Sequence, residues 1–337
     1  MNNIRTYKCL KQQTFESGDC KLVPIRHEDR YPIMKWRNEQ IYHLRQAKPL
    51  NKEKQDWYFE NVVAKLFDQE KPNQLLFSVL KKGECIGYGG LVHINWIDMH
   101  AEISFIMNTA LEEQHFVTNW EAFLRLIEKV AFQDLKFHKI FTYAFDLRPH
   151  LYPALEGVGF KKEAILPEHC FFEERFVDVV IHSKINRKVE LRPAKAEDAE
   201  VTYKWANDAD VRRFALNPKE IPKADHISWF KEKIANPHCL YFIALHNQTK
   251  VGSFRLDVNT DSTALISYLL DPAFHGKGLG RVLLKTGVEK AKAHKDIKRI
   301  EGYVKEQNRA SLHLFRTLGF QEESQELGLF KFQLKVR

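Results

Sequence analysis

The chain has 337 residues, of which 44% are hydrophobic and 28% are charged. This length suits two domains, and the composition is typical of a globular protein with apolar cores. No apolar run approaches the roughly 20 residues of a membrane helix, and no signal-peptide core is visible, so we expect a cytoplasmic protein without membrane contact. The five cysteines are scattered without a CxxC pair, so we expect neither a disulfide framework nor a metal site.

The net charge of +8 is unevenly distributed along the chain. Residues 188–337 contain 26 Lys and Arg against 19 Asp and Glu, whereas residues 1–187 contain 26 against 25. A basic second half attracts anionic ligands such as a nucleotide or coenzyme A and disfavours polycationic substrates such as polyamines and aminoglycosides. No Lys/Arg block with interleaved aromatic residues is present, so nucleic acid is not an expected partner.

Five sequence blocks of the first half recur in the same order in the second half. The paired blocks are 36–46 and 205–215, 75–91 and 240–256, 101–108 and 264–271, 134–145 and 296–307, and 155–160 and 315–320. Their period of about 160–169 residues is too long for a solenoid repeat. The pattern predicts a duplicated domain, with units at 1–187 and 188–337.

Each unit is predicted to have an α/β (α+β) fold, with a central mixed sheet flanked by helices in the order β-α-α-β-β-β-α-β-α-β. In the second unit, β-rich runs predict the strands, while charged first turns and a terminal glycine predict the helices. The predicted elements are strand Val189–Pro193, helix Glu197–Asn207, helix His226–Ala235, strands 240–246, 250–258 and 264–270, a helix ending near Ala293, strand 298–304 and helix 309–317.

A glycine-rich segment between Pro272 and Arg281 follows an apolar strand and leads into an amphipathic helix. Its glycines are Gly276, Gly278 and Gly280. Glycines allow the backbone to approach a ligand closely and to direct several N–H groups at one point. The helix N-terminus, Lys277 and Arg281 add positive charge, so the segment predicts a cradle for a diphosphate. Its spacing fits neither a Walker loop nor a Rossmann loop.

The segment His275-x-x-Gly278-x-Gly280 resembles the Arg/Gln-x-x-Gly-x-Gly/Ala pattern of the GCN5-related N-acetyltransferases (GNAT), with His in place of Arg or Gln. A second GNAT pattern, Asn-x-Ala-Ser followed by Tyr/Phe-x-x-x-Gly-Phe, occurs further along. It is matched by Asn308, Ala310, Ser311, Phe315, Gly319 and Phe320. The resemblance covers nearly all of 188–337 and implies acetyl-coenzyme A as co-substrate.

The resemblance also implies where the donor binds. The fourth and fifth strands of a GNAT unit separate, and pantetheine contacts the backbone of the fourth strand. The implied cofactor-binding residues are Leu269, Leu270, His275, Gly276, Lys277, Gly278, Leu279, Gly280, Arg281, Asn308, Ser311 and Phe315. Phe315 stands where the family often has a Tyr that protonates the leaving thiolate. Either the thiolate leaves unassisted or another group helps, and Glu301 as a base through water and Tyr303 as an acid are the candidates. A solvated Glu301 and a core Tyr303 are the alternatives.

The opening of the second unit, WANDADVRRFALNPKEIPKADHISWF, is similar to that of nucleotide-amino-sugar N-acetyltransferases of the pseudaminic acid pathway type, although Ala206 stands where Arg is common. This similarity implies a small-molecule amine on a nucleotide sugar as acceptor, with Arg212, His226 and Phe230 in substrate binding. Two alternatives stay open: acetylation of a protein or peptide amine, as in ribosomal-protein acetyltransferases, and a non-catalytic acyl-CoA-binding module. The assembly state, including a homodimer, is also open.

The first unit lacks the glycine pattern. At the corresponding position, 110–117, it reads ALEEQHFV, with adjacent carboxylates at Glu112 and Glu113 and no glycine. Arg148 occupies the position of Asn308. Side chains shield backbone amides and carboxylates repel a diphosphate, so we expect a degenerate GNAT-like domain with weak or no coenzyme A binding.

Overall fold

The computed structural model describes residues 5–44, 46–326 and 328–336, which form two compact units, Met1–Asn186 and Arg187–Arg337. Each unit contains one sheet with helices packed against it. This architecture confirms the predicted α/β fold with a central mixed sheet in each of two units. Within the described ranges, no helix has both the length and the apolar character that a membrane span requires.

The described part of the first unit contains an eight-stranded sheet. Its strands are β1 Phe15–Ser17, β2 Cys20–Pro24, β3 Leu75–Lys81, β4 Glu84–Asn95, β5 His100–Met107, β6 Lys139–Phe145, β7 Lys161–Phe172 and β8 Arg175–Ile185. Its α-helices are α1 Arg30–Glu39, α2 Lys52–Tyr58, α3 Ala64–Leu66, α4 Glu112–Glu128 and α5 Leu151–Gly157. Short 3-10 or π turns occupy His27–Asp29, Ile41–His43, Phe59–Val63, Thr109–Leu111 and Lys129–Asp134.

The described part of the second unit contains a seven-stranded sheet. Its strands are β9 Glu190–Pro193, β10 Cys239–His246, β11 Thr249–Val258, β12 Thr263–Leu270, β13 Arg299–Lys305, β14 Gln321–Glu326 and β15 Leu329–Lys335. Its α-helices are α6 Ala199–Asn207, α7 Ala209–Arg212, α8 Lys223–Ala235, α9 Leu279–Ala293 and α10 Arg309–Thr317. Two 3-10 turns occupy Ala196–Asp198 and Pro272–Phe274.

The two sheets share one topology. Apart from β1, the first has the strand order β2-β3-β4-β5-β6-β8-β7, which corresponds to β9-β10-β11-β12-β13-β15-β14 in the second. In each described sheet one pair is parallel, β5 with β6 and β12 with β13, and each of these pairs has three rungs. The shared order and register confirm that the chain contains two tandem copies of one domain.

The end of the second unit differs from the predicted single last strand, whereas the first unit ends in a hairpin, as residues 168–185 predict. Both units close with an antiparallel pair, β7 with β8 and β14 with β15. In the first unit, Glu173 and Glu174 form the turn with φ values of 44° and 63°, and Gly328 has a φ of 75° between the last two strands. These left-handed turns reverse the chain within a few residues, so the segment after the last helix of each unit forms a hairpin.

The core of the second unit lies between its sheet and the apolar face of α9. Leu283, Leu284 and Val288 are at most 5% exposed because they recur at helical spacing on this face. Gly287 lies on the same face, and a Cβ there would come within 2.1 Å of the Phe254 ring on β11. Helix α9 therefore approaches the sheet closely at Gly287. This close packing sets the position of the helix N-terminus relative to β12.

Candidate functional site

The glycine loop connects β12 to α9 at the end of the sheet. Asp271 closes the strand by accepting a 2.9 Å hydrogen bond from the backbone N–H of Ala273. The chain then turns through Gly276 and Gly278, whose φ values are 74° and 76°. Because L-residues with a side chain rarely adopt this left-handed conformation, both positions favour glycine. Gly278 is also the N-cap of α9.

The loop presents polar backbone to solvent. Gly276, Lys277 and Gly278 are exposed. The first-turn N–H groups of a helix have no acceptor within the helix, and they carry the positive end of its dipole. Since α9 has 15 residues, its dipole is long enough to attract an anion to this end, and binding of a diphosphate here stays a prediction. Arg281 in the first turn is exposed as well.

A third cation, Arg187, lies at the loop. Its Nε donates a 3.1 Å hydrogen bond to the carbonyl of Lys277. A Cβ on Gly278 would lie 3.4 Å from the same Nε. Sequence reasoning missed this residue, which stands just before β9. The strand topology indicates its position at the loop. Because β9 runs antiparallel to β12, the start of β9 and the end of β12 lie at the same edge of the sheet.

His275 is turned toward its own strand. Its ring Nε2 lies 3.1 Å from the carbonyl oxygen of Leu270, which suits an Nε2–H donor. The neighbouring Lys277 holds its ammonium 5.0 Å from the Phe274 ring centroid. His275 therefore braces the loop against the strand end, while Lys277 is exposed beside the glycines.

Strands β12 and β13 pair over only part of their length. Thr263, Ala264 and Leu265 pair with 299–301, and the described ladder between the two strands ends there. Further on, β12 keeps its pairing with β11, and β13 keeps its pairing with β15. The β13-facing edge of 266–270, which includes the predicted Leu269 and Leu270, is thus free of ladder hydrogen bonds, and the split leads toward the glycine loop.

Helix α10 packs beside this split. Asn308 caps it by accepting a 3.1 Å hydrogen bond from the backbone N–H of Ser311. The Ser311 hydroxyl lies 2.7 Å from the hydroxyl of Tyr268 on β12. Phe315 is 2% exposed, and its ring contacts those of Phe320 and Phe332. Ser311 and Phe315 lie at the split, where Phe315 serves as a core residue, and Asn308 caps the helix.

Glu301 and Tyr303 share the opposite face of β13. A Cβ on Gly302, which lies between them, would meet Phe315 at 2.6 Å, so the alternation of the strand turns both neighbours away from α10. Glu301 pairs with Lys331 at 3.2 Å and accepts a 3.2 Å hydrogen bond from Gln333. Tyr303 is 42% exposed, so it is a surface residue and not the core aromatic considered as its alternative.

Two of the three predicted substrate-binding residues are buried. Phe230 has no exposed surface, and its ring lies 5.1 Å from that of Tyr241. His226 is 3% exposed, and its Nε2 lies 3.0 Å from the Thr202 hydroxyl. Burial lowers the pKa of His226, which keeps the ring neutral. Both residues pack α8 onto α6 and the sheet because one face of α8 has to be buried, and their role in substrate binding stays a prediction.

Arg212 is the third predicted substrate-binding residue. Its guanidinium donates hydrogen bonds to the backbone carbonyls of Asn217 and Ala206, and the distance to the Ala206 oxygen is 3.4 Å. These contacts hold the segment after α7 and leave the substrate role of Arg212 a prediction.

The first unit fills the corresponding position with its own ion pair. Asn108 caps the turn after β5 as Asp271 does after β12, but α4 then begins at once with Glu112. Arg148 lies 3.3 Å from the Glu112 carboxylate and 2.7 Å from His43 Nε2. Burial raises the pKa of Glu112 despite the nearby Arg148, and burial together with Arg148 lowers the pKa of His43 to about 3. An internal carboxylate therefore holds the guanidinium here, in a unit without a glycine loop.

Comparison with known proteins identifies both units. Two family models, each described as an acetyltransferase (GNAT) domain, match residues 22–181 and 188–321. Acetyltransferase PseH of Campylobacter jejuni is 21% identical over 140 residues, which is 42% of this chain and 87% of that protein. Among solved structures, spermidine N-acetyltransferase from Vibrio cholerae in complex with CoA and spermine is 19% identical, with a TM-score of 0.45 over 51% of this chain and 98% of its own. Aminoglycoside acetyltransferase AAC(6')-Ib in complex with coenzyme A is also 19% identical, with a TM-score of 0.40 over 44% of this chain and 95% of its own.

Proposed function

This chain belongs to the GNAT family of acetyltransferases and is an N-acetyltransferase with acetyl-coenzyme A as co-substrate, and we propose that its second unit alone binds the donor and acetylates the amine of a nucleotide-linked amino sugar. The observation that carries this proposal is the contrast between the units. The second presents left-handed glycines, free helix N–H groups and cations at one edge, whereas the first holds the Glu112–Arg148 pair at that position.

The residues of the glycine loop fit a diphosphate. Backbone N–H groups from Gly276 to Arg281 are placed to donate hydrogen bonds to phosphate oxygens, because glycine leaves them unshielded. Lys277, Arg281 and Arg187 supply full positive charges around these amides. His275 supports the loop from behind by its contact with Leu270. Apart from Arg187, these residues are among those that the resemblance implies, and their surroundings suit anion binding.

The split between β12 and β13 fits the pantetheine and the thioester. The unpaired edge near Leu269 and Leu270 offers backbone N–H and C=O groups, which are strong hydrogen-bonding partners. An N–H group aimed at the thioester carbonyl stabilises the negative charge that develops there during attack by an amine. Because this contribution comes from the backbone, substitution of the Leu269 side chain would leave it in place.

The acceptor amine has to be neutral when it attacks, which requires a base. Glu301 lies at the last rung where β12 and β13 pair, and its carboxylate is held by Lys331 and Gln333. We assign it to accept the amine proton through water. Tyr303, two residues further on the same face, is placed to contact the acceptor or the leaving group.

A nucleotide-linked amino sugar is favoured as acceptor by two observations. The opening of the second unit is similar to that of nucleotide-amino-sugar N-acetyltransferases of the pseudaminic acid pathway type, and acetyltransferase PseH is 21% identical over 42% of this chain. The second unit also carries 26 basic against 19 acidic side chains, which attracts an anionic acceptor and disfavours a polycation. Arg212 is the residue that we propose to contact the nucleotide diphosphate. The cytoplasmic location inferred from the sequence stays a prediction.

A thiol-release assay tests the proposal. The full chain would be incubated with acetyl-coenzyme A and a panel of UDP- and dTDP-linked amino sugars, with protein N-terminal peptides and spermidine as competing acceptors. Turnover of an amino sugar is expected to exceed that of both competitors. Preference for a peptide amine would replace the proposed acceptor with a protein, and donor binding without turnover of any amine would support a non-catalytic module.

Two matched glycine variants test where the donor binds. Gly278→Glu places a charged side chain in the loop, whereas Gly83→Glu makes the same change at a hairpin glycine with a φ of 90° and nothing within 4 Å of its added Cβ. Calorimetric titration is expected to show lost acetyl-coenzyme A binding for the first variant alone. Unchanged affinity in a folded Gly278→Glu protein would overturn the assignment of the loop.

A further inference from the structure

Tyr268 projects from β12 toward α10. It lies next to Phe315, which stands where the family often has a tyrosine. Its ring centroid lies 6.3 Å from that of Phe315, and its hydroxyl lies 2.7 Å from the Ser311 hydroxyl, one helical turn before Phe315. Tyr268 is three residues beyond Leu265, the last residue of β12 that pairs with β13. Its flank toward β13 is therefore open to the split.

Successive side chains of β12 point to opposite faces of the sheet. This alternation determines which tyrosine can reach the leaving sulfur from the α10 side. Tyr268 shares a face with the buried Ala264 and Ile266, and this face packs on α9 and α10. Tyr303 lies on the other face of the sheet, since the intervening Gly302 faces Phe315. In the described residues at the split, Tyr268 is the phenol on the α10 side.

We propose that Tyr268 is the acid that protonates the leaving sulfur, in place of Phe315. This inference rests on the proposed binding of the thioester in the split. Phe315 is 2% exposed and has no acidic proton to donate, whereas Tyr268 is half-buried and its hydroxyl lies 2.7 Å from the Ser311 hydroxyl.

The proton balance of the step is closed. As the amine nitrogen forms its bond to the acetyl carbon, the carbon–sulfur bond breaks and the sulfur takes the proton of Tyr268. The nitrogen loses one proton, which Glu301 accepts through water and releases to solvent, and a proton from solvent water restores the phenol directly or through the Ser311 hydroxyl. Burial raises the pKa of Tyr268, so the phenol holds its proton at neutral pH and can donate it. The protein gains and loses no proton over one turnover.

A structural role is the competing interpretation, because the Tyr268–Ser311 hydrogen bond also ties α10 to β12. The two roles differ in what Ser311→Ala does. That variant removes the tie but keeps the phenol, whereas Tyr268→Phe removes both and keeps the ring packing. A structural tie predicts equal effects of the two variants, and an acid predicts a larger effect of Tyr268→Phe than of Ser311→Ala.

The pKa of the thiol of bound coenzyme A is the measurement, because it requires no acceptor. A phenol that donates to the sulfur stabilises the thiolate and lowers this pKa. We expect the thiol pKa, titrated by thiolate absorbance in the complex with the full chain, to rise by about one unit in Tyr268→Phe and to rise by less in Ser311→Ala, which keeps the phenol. Desulfo-coenzyme A, which lacks the thiol, should bind wild type and Tyr268→Phe equally.

The outcomes distinguish a failure of the proposed function from a failure of the assignment of Tyr268 as the acid. If coenzyme A does not bind at all, the proposed function fails before Tyr268 is tested. If it binds and its thiol pKa is equal in wild type and Tyr268→Phe, or rises in Tyr303→Phe instead, Tyr268 is not the acid. With an acceptor from the thiol-release assay, Tyr268→Phe should also lower kcat by about 10²-fold with little change in donor affinity.

Discussion

Arg187 donates a hydrogen bond from its Nε to the main-chain carbonyl of Lys277, and the two residues are separated by 90 positions in the chain. The bond uses one of the five N–H donors of the guanidinium. It places the first residue of the second unit beside the helix N-terminus that begins after Gly278. The proposed site for the donor thus includes a residue that lies outside the glycine-rich segment.

Arg187→Ala is expected to weaken binding of coenzyme A about fivefold, which corresponds to about 1 kcal/mol. A hydrogen bond to a charged group contributes more than this, but Arg187 is exposed and its charge is screened. Isothermal titration of the full chain is the measurement. Lys188→Ala is the matched control, since it removes the same charge from the adjacent exposed residue, which pairs with Glu190 at 2.9 Å. Equal affinities of the two variants would show that the guanidinium makes no contact with the donor.

Gly287→Ala is expected to destabilise the second unit by about 2 kcal/mol, because its new Cβ would lie 2.1 Å from the fully buried Phe254 ring. Gly157→Ala is a suitable comparison. It also changes a glycine within a helix, but its Cβ would meet only the end of the flexible Glu121 side chain, at 2.9 Å. Urea unfolding should separate the two variants. A loss in Gly157→Ala as large as that in Gly287→Ala would contradict the close packing of α9.

The full chain is expected to bind one molecule of acetyl-coenzyme A. In the first unit the position of the glycine loop is occupied by Glu112, and its carboxylate already holds Arg148 at 3.3 Å. Calorimetric titration gives the stoichiometry directly. A value near two that persists in Gly278→Glu would show that the first unit binds the donor.

The sequence predicted those structural features of the candidate site that depend on local patterns. The loop between Pro272 and Arg281 was identified because a left-handed turn that exposes several N–H groups requires glycine, and two of its glycines have positive φ. The strands and helices of the second unit were placed mostly within a few residues, although α8 begins at Lys223 rather than at His226. Hydrophobic periodicity carries this information without knowledge of the tertiary fold.

The parts that were missed depend on how distant segments meet. The contact of Arg187 with the loop follows from the antiparallel relation of β9 to β12, and the contact of Tyr268 with Ser311 joins residues 43 positions apart. The burial of Phe230 depends on which face of α8 meets the sheet, and an aromatic pattern alone does not specify that face. A motif therefore located the loop but could not assign the side chains around it.

Asp198 is a charged residue of the second unit with no exposed surface. Its carboxylate receives hydrogen bonds of 2.7 Å from both Arg192 and Lys250, and one of 2.9 Å from the backbone N–H of Lys195. Burial would raise the pKa of Asp198, but these three donors outweigh it and hold the pKa below its usual value. The carboxylate thus joins β9, β11 and the turn that precedes α6.

Asp198→Asn is expected to destabilise the second unit by about 3 kcal/mol at neutral pH, because two cations lose a buried partner. The pKa of an Asp in the unfolded chain is about 3.9, and that of Asp198 in the folded chain is lower. The stabilisation from this residue is therefore fully present above about pH 4 and is lost as the pH falls through the folded-state value. Urea unfolding of both proteins between neutral pH and about pH 2 would measure it. The difference in unfolding free energy should shrink toward the acid end, and a difference that stays constant over this range would show that ionised Asp198 is not what stabilises the fold.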